Sequence, residues 1–285
     1  MDEAKYSLKD YKSDLKPIWC PGCGDYGVLN ALMQALVKLQ IPPHKMALVS
    51  GIGCSSRLPG YVNTYGFNGI HGRVIPLATG VKLSNPDIKV IAVGGDGDGF
   101  SIGAGHIPHA ARKNIDITYI VMNNNIYGLT KGQASPTTPV GEQTKTTFYG
   151  NMDEPINPVR MMIAYKASFV ARVFSGDPKN TIDVISRAIQ HRGFSFVEVL
   201  SPCPTFRGME QFKLIREKVR PLPEDYQPTD EVRAFEIAND NDFIRLGVIY
   251  RQDRPIYTDI MRKMQQVSEK MGKPEILDLL KQFEP

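Results

Sequence analysis

Lys89-Val-Ile-Ala-Val-Gly-Gly-Asp-Gly-Asp-Gly-Phe100 is the stretch that decides how this chain folds. Lys89 to Val93 is a short apolar run closed by glycines, too brief for a helix, and predicts a strand buried on both faces. Met46 to Ser50, Ile117 to Met122, Phe169 to Phe174 and Phe194 to Leu200 repeat the same Val- and Ile-rich pattern. Between them, Ser101 to Lys113, Pro158 to Ser168 and Lys179 to Arg192 carry helical periodicity at the length of a crossover. Ahead of them, Val28 to Gln40 places Leu29, Leu32, Met33, Leu36, Val37 and Leu39 at helical spacing before Pro42 and Pro43 stop the helix. Strands alternating with helices predict an α/β fold, a mostly parallel sheet with helices on both faces.

In such a sheet the loops at the carboxyl ends of the strands share one edge, and ligands bind there. Those loops are Gly51-Ile-Gly-Cys-Ser-Ser-Arg57, Gly94-Gly-Asp-Gly-Asp-Gly99, Asn123-Asn-Asn-Ile-Tyr-Gly128 and Pro202-Cys-Pro204. Asp96 and Asn124 follow consecutive strands, one turn, one crossover helix and one strand apart, so both side chains leave the same edge. A carboxylate, an amide oxygen and a nearby main-chain carbonyl form the oxygen-only set that magnesium prefers, and flanking Gly95 and Gly97 let a diphosphate approach the backbone. Alone, a Gly-Asp-Gly is as often a simple turn. The Gly-x-Gly-x-x-Gly spacing of dinucleotide sites fails, because Phe100 or Ile102 stands where the third glycine belongs. A P-loop fails too, since Gly272-Lys273 precedes Pro274 rather than Ser or Thr.

The four cysteines are Cys20, Cys23, Cys54 and Cys203. Residues Met1 to Lys16 lack the apolar core of a signal peptide, so a cytoplasmic address and reduced thiols are expected, with metal ligation or redox chemistry ahead of disulfides. Four thiolates suit zinc or an iron–sulfur cluster; the lone Cys54 and Cys203 at separate strand ends depart from the paired spacing of structural zinc and favour a cluster. A Cys20–Cys23 dithiol, with Cys54 and Cys203 as small buried hydrophobes, is the plainer alternative. The remaining composition excludes other classes. With 285 residues, 42% hydrophobic and 22% charged, the chain is globular, and it has no apolar run of membrane-spanning length. A net charge of +4 without a basic block gives no footprint for nucleic acid.

Trp19-Cys-Pro-Gly-Cys-Gly24, Gly51-Ile-Gly-Cys-Ser-Ser-Arg57, His71-Gly-Arg73, Gly94-Gly-Asp-Gly-Asp-Gly99 and Asn123-Asn124 through Tyr127-Gly-Leu-Thr-Lys-Gly-Gln133 together resemble the β subunit of 2-oxoacid:ferredoxin oxidoreductases. The resemblance covers residues 17 to about 205 and, more weakly, Gly247-Val-Ile-Tyr-Arg251. It implies a thiamine-diphosphate-binding fold of the diphosphate-binding type. Asp96, Asn124 and the carbonyl of Ile126 would hold Mg2+, and Cys20, Cys23, Cys54 and Cys203 would hold one 4Fe–4S cluster. Gly51, Gly53, Cys54, Gly95, Gly97, Asp98, Tyr127 and Gly128 would border the cofactor. The implied reaction is oxidative decarboxylation of a 2-oxoacid to acyl-CoA, with electrons passing to ferredoxin, or its reductive reverse. The activating glutamate of related enzymes sits on a pyrimidine-binding domain, for which this chain has no room, so the expected partner is an α subunit that carries it.

On this reading residues 1–205 bind the cofactor and the cluster, and the charged, proline-punctuated residues 206–285 form an extended C-terminal arm against the partner. Thr130 to Asn157, without periodicity, is a lid or interface loop or else hides a short helix. His71 lies in a loop that the resemblance places near the cofactor; His106 and His109 read as packing or solvated residues, and His44 and His191 as surface residues. Trp19 covers the cluster or simply packs. For the substrate, Arg57 and Lys131 are candidate counter-charges for a second carboxylate, and Leu129 stands where pyruvate-type relatives often carry a polar residue. Both features favour 2-oxoglutarate over pyruvate. Solvation of the two cations, or their contact with coenzyme A phosphates or the partner, is the plainer explanation. A non-catalytic subunit stabilised by zinc, with Asp96 a turn residue, is the rival from another class.

Overall fold

Strands Met46–Ser50 (β1), Tyr65–Asn68 (β2), Lys89–Gly95 (β3), Thr118–Asn123 (β4), Phe169–Phe174 (β7) and Ser195–Leu200 (β8) run parallel in the order β2-β1-β3-β4-β8-β7. The short pair Ile126–Tyr127 (β5) and Gln133–Ala134 (β6) forms a separate hairpin, while Val219–Pro221 (β9) and Ile244–Arg251 (β10) extend the main sheet in the order β7-β10-β9. A computed structural model describes residues 5–272 and 275–283. Met1–Ala4 of the leader reading, Lys273 and Pro274 of the rejected P-loop string, and Glu284 and Pro285 of the tail lie outside the described residues.

The strands read as unbroken apolar runs because both faces are covered. Along β3, Ile91 and Val93 pack on one side with the helix Asp25–Leu39 and the helix Pro178–Gln190, while Val90 and Ala92 pack on the other with Val74–Ser84, Ile107–Lys113 and Pro158–Ala164. Gln40 in the left-handed region ends the helix Asp25–Leu39 just before Pro42. Pro178 opens its helix behind Asp177, whose carboxylate accepts from the Asn180 N–H. Among the described residues no helix is long and apolar enough to cross a membrane.

Three expectations change. The helix expected over Ser101 to Lys113 is broken: 101–103 is turn, Ala104–His106 a 3-10 turn and only Ile107–Lys113 α-helix, with a separate short helix Asp96–Phe100 ahead of it. Gly103 causes the break: a Cβ there would collide with the Asp98 carbonyl oxygen, so the chain folds flat against the preceding turn. The loop Thr130–Asn157 holds no helix, but β6 pairs with β5, and Ser135, Thr137 and Thr138 are buried. Residues 206–285 are not all arm. Strand β10 pairs antiparallel with β7, burying Leu246, Val248, Ile249 and Tyr250, and the helix Glu231–Ala238 packs Ala234 and Ile237 into the core. Prolines 221, 223 and 228 belong to the edge strand β9 and the connection after it, where a missing N–H costs no central ladder bond. Arm-like character begins at Tyr257–Met271 and Ile276–Lys281, where Thr258 is buried and the apolar side chains are largely exposed.

Candidate cofactor and cluster site

The loops after β1, β3 and β4 enclose a cavity of about 500 Å3 at the carboxyl edge of the sheet. Ile52, Gly53, Cys54, His71, Gly97, Asp98, Asn124, Ile126, Tyr127, Gly128 and Leu129 line it. Asp96, directly after β3, is buried, and its Oδ2 accepts from Ser135 Oγ at 2.5 Å and Thr137 Oγ1 at 2.6 Å. Burial pushes its carboxyl above the usual carboxylate value, and the two hydroxyls pull against that rise. Asn124 lies at the head of the next loop, its Oδ1 accepting from the Ile126 N–H at 3.0 Å. Arg207 braces this loop from the Cys203 side: Nη1 donates to the Asn124 carbonyl at 3.3 Å and to Asn125 Oδ1 at 2.9 Å, and Nη2 pairs with Glu142 at 2.6 Å.

Asp98 has a different task. Its Oδ1 accepts from the main-chain N–H of Ile52 at 2.9 Å and of Gly72 at 2.8 Å, and lies 3.4 Å from His71 Nδ1. It pins the loop after β1 to the His71 loop from beneath, with Oδ2 buried and unpartnered. Gly51 is required by this arrangement, since a Cβ there would collide with the Asp98 carboxylate. Gly97 is equally constrained, because its Cβ would run into the Tyr127 ring, and Tyr127 donates its hydroxyl to the Gly97 carbonyl at 3.2 Å.

The four thiols gather beside the cavity. Cys54 is shared, lining the cavity while a Cβ on Gly128 would stand 3.6 Å from its sulfur and 3.8 Å from that of Cys203. Burial first, then Asp25, then Cys203 and Cys20 push the Cys54 thiol up to about 11; burial and Asp25 raise Cys23, with smaller contributions from Cys203 and Cys54. Thiols that raise one another in this way are neighbours whose deprotonation awaits a positive charge. Among the described residues no three His, Cys, Asp or Glu side chains are grouped as ligands of a single metal ion. A four-iron cube, with one cysteine on each iron, asks for a wider set than one tetrahedral zinc. Trp19 packs edge-on against Tyr26 and Tyr61, and its indole N–H donates to the Cys54 carbonyl at 2.7 Å, so it fixes the cysteine loop as well as packing.

The oxygen donors Asp96 and Asn124 and the glycine walls fit a hard cation carrying a diphosphate, and the four thiols fit an iron–sulfur group. His71 and Leu129 border the cavity, whereas Arg57 and Lys131 are exposed and stand outside its lining. His106 and His109 line a separate hollow with Lys113. His191, expected at the surface, is buried: Nε2 lies 2.8 Å from Ser168 Oγ, and burial pushes its imidazole down to about 4. Ser135, Thr137, Asp25 and Arg207 escaped the sequence reading. Asp25 is buried, bonded to Ser201 Oγ at 2.6 Å and raised by burial to about 6. The available signal was the unusual density of Ser, Thr and Asn in the segments that follow the strands.

Residues 51–199 match the family model of the thiamine pyrophosphate enzyme C-terminal TPP binding domain, and residues 203–266 match that of the C-terminal region of the pyruvate ferredoxin oxidoreductase beta subunit. The chain is 48% identical over 198 residues to the 2-oxoglutarate oxidoreductase subunit KorB of Mycobacterium tuberculosis, a match spanning 70% of this chain and 53% of that relative. It is 39% identical over 271 residues to the 2-oxoacid:ferredoxin oxidoreductase 2 subunit beta of Aeropyrum pernix, covering 90% of this chain and 88% of the other. Among solved structures, the 2-oxoglutarate:ferredoxin oxidoreductase from Magnetococcus marinus, with 2-oxoglutarate, coenzyme A and succinyl-CoA bound, superposes with a TM-score of 0.92 at 41% identity, covering 100% of this chain and 98% of that one. With the motifs on the loops where the fold requires them, the chain belongs to the thiamine pyrophosphate enzymes and, within them, to the β subunits of 2-oxoacid:ferredoxin oxidoreductases.

Proposed function

We propose that this subunit binds thiamine diphosphate through Mg2+ on Asp96, Asn124 and the Ile126 carbonyl, carries one 4Fe–4S cluster on Cys20, Cys23, Cys54 and Cys203, and acts on 2-oxoglutarate. The carrying observation is the shared wall, in which Cys54 and Gly128 border the cofactor cavity while the Cys54 and Cys203 sulfurs lie against Gly128. When bound, thiamine diphosphate supplies the electron sink for decarboxylation. This chain's own residues orient and enclose. Asp98 locks the Ile52 and His71 loops together, Tyr127 closes over Gly97, and Leu129 forms an apolar wall. The balanced reaction takes 2-oxoglutarate, coenzyme A and two oxidised ferredoxins to succinyl-CoA, carbon dioxide, a proton and two reduced ferredoxins. An α subunit supplies the pyrimidine-binding half.

The named relatives favour the longer acid, and Arg57 and Lys131, exposed on the segments that follow Ser55 and Thr130 of the cavity lining, are the cations proposed to meet its second carboxylate when the partner is bound. An unpaired second carboxylate in a dry site is costly, so the site needs a cation. The test is anaerobic purification with the α subunit, metal, sulfide and thiamine analysis, and steady-state kinetics. The expected protein is brown, with broad absorbance near ~400 nm, and loses iron in Cys54→Ser and Cys203→Ser. Arg57→Met or Lys131→Met lowers kcat/KM for 2-oxoglutarate and spares 2-oxobutyrate. Colourless zinc protein, or wild-type preference for pyruvate, rejects the corresponding part.

A further inference from the structure

The loop that carries Asn124 and Ile126 is a partition. Those two residues face the cofactor cavity, whereas Asn123 and Asn125 line a second chamber of about 420 Å3 behind it, together with Thr137, Arg172 and Glu198. A loop backed by a hollow lacks the close contacts that fix a packed segment, so its position rests on polar struts. Besides the Arg207 brace and the Thr137 and Thr138 contacts to Asn125, one set of struts runs as a series across three strands. Arg172 on β7 stands opposite Glu198 on β8, and its Nε donates to Glu198 Oε2 at 2.6 Å. Glu198 Oε1 accepts from Asn123 Nδ2 at 2.8 Å. Asn123 Oδ1 then accepts from the Asn125 N–H at 3.1 Å and lies 3.0 Å from Thr137 Oγ1, the hydroxyl that also reaches Asp96 at 2.6 Å.

We propose that Arg172 and Glu198 are positioning residues, an ion pair that orients the Asn123 amide and through it holds the Mg2+-presenting loop against the Asp96 strand end. A carboxylate only accepts, so Glu198 forces the Asn123 NH2 toward itself and the amide oxygen toward the Asn125 N–H and Thr137. Arg172 supplies the counter-charge to Glu198 in a place where both are at least nine-tenths buried. Stability gives little reason for a charged pair in the apolar strands Phe-Val-Ala-Arg-Val-Phe174 and Ser-Phe-Val-Glu-Val-Leu200, because desolvation of a buried pair tends to cancel its attraction. Orientation of the site gives one.

The inference rests on the cofactor reading above, and the experiment separates the two. In the complex purified with its partner subunit, the Kd for thiamine diphosphate at fixed Mg2+ is measured alongside the thermal midpoint and the cluster absorbance. Arg172→Met/Glu198→Leu is expected to keep the midpoint and the absorbance and to weaken binding by about 10–100-fold, the usual effect of losing a partner one shell out from a metal. Arg172→Met/Glu198→Gln, which retains an acceptor for Asn123, recovers most of the affinity. A double-mutant cycle of Asn123→Ala with Glu198→Ala, both in the Arg172→Met background, gives non-additive losses, as directly bonded members of one series must. Should the leucine variant not fold, the cycle decides alone. Unchanged affinity in the leucine variant, or additive losses in the cycle, overturns the positioning role. Wild-type complex that binds no thiamine diphosphate overturns the cofactor reading and this inference with it.

Discussion

The sheet carries a buried ion pair at each end, and the two are spent differently. At the amino end, Lys82 Nζ lies 2.8 Å from Asp116 Oδ2 and also donates to the Ile88 carbonyl at 2.9 Å, while Asp116 accepts from the Gly193 N–H at 3.2 Å. That pair closes on main chain and ties three connections together beneath the strands. At the carboxyl end, Arg172 and Glu198 pass their remaining bonding capacity to Asn123, under the loop that presents Asn124. The same chemistry therefore serves closure at one end and orientation at the other. A charge pair that ends on backbone predicts a stability effect; one that ends on a site side chain predicts a binding effect.

The largest way to sharpen the contrast is Asp96→Ala, which removes one of the two side-chain ligands proposed for Mg2+. Affinity for thiamine diphosphate should fall by more than the ~10–100-fold typical of outer partners, leaving cluster absorbance and unfolding midpoint near wild type. Full cofactor retention in a titration would end the assignment. Asp116→Asn should do the reverse, because Lys82, 3% exposed, is left buried without its counter-charge. A loss of about 3 kcal/mol in denaturant unfolding, with cofactor affinity unchanged per folded molecule, is expected. If instead affinity falls while stability holds, the division between the two ends is wrong. Asp98→Ala stands between them: it deprives the Ile52 and Gly72 N–H groups of their acceptor, at roughly 1–3 kcal/mol, and weakens the cofactor less than Asp96→Ala does. A titration ranking Asp98 above Asp96 would show that the ligand roles have been interchanged.

The contrast also explains what could be read from residue order. Met46–Ser50 and Phe169–Phe174 fall at the expected limits because strands buried on both faces are written as local apolar runs. The site loops were legible for a related reason, since Gly-Asp-Gly and Asn-Asn-Asn immediately after such runs are chemically conspicuous. Strand β10 was hidden because Gly247 and the irregular register between Val248 and Tyr250 interrupt its alternation, and charged residues flank it. Ser135 and Thr137 were hidden because a hydroxyl in a Ser-Pro-Thr-Thr-Pro loop acquires a role when a strand end from far along the chain supplies its acceptor. Arg172 and Glu198 were visible as charges inside apolar strands, yet their pairing depends on the order β8-β7, which no local pattern encodes.

The smallest effect belongs to the amino end and tests whether its polar cluster is a stability device. His191 lies against Ser168 Oγ, which donates to Asn114 Oδ1 at 2.7 Å, so the hydroxyl receives the imidazole N–H. Burial holds its pKa at about 4, below the ordinary 6.5, with Arg251 and Lys89 adding to the depression and Asp253 and Asp116 opposing it. The unfolded chain therefore binds more protons than the native one between about pH 6.5 and 4, and stability must fall as pH is lowered through that window. His191→Asn removes the titration while leaving a side chain able to meet Ser168. Its unfolding midpoint should depend less steeply on pH than that of wild type across the window, and the two slopes should agree above pH ~7, where His191 is neutral in both states. Parallel profiles from pH ~7 to 4 would mean that His191 is protonated in the native protein and that the Ser168 contact is made by an imidazolium.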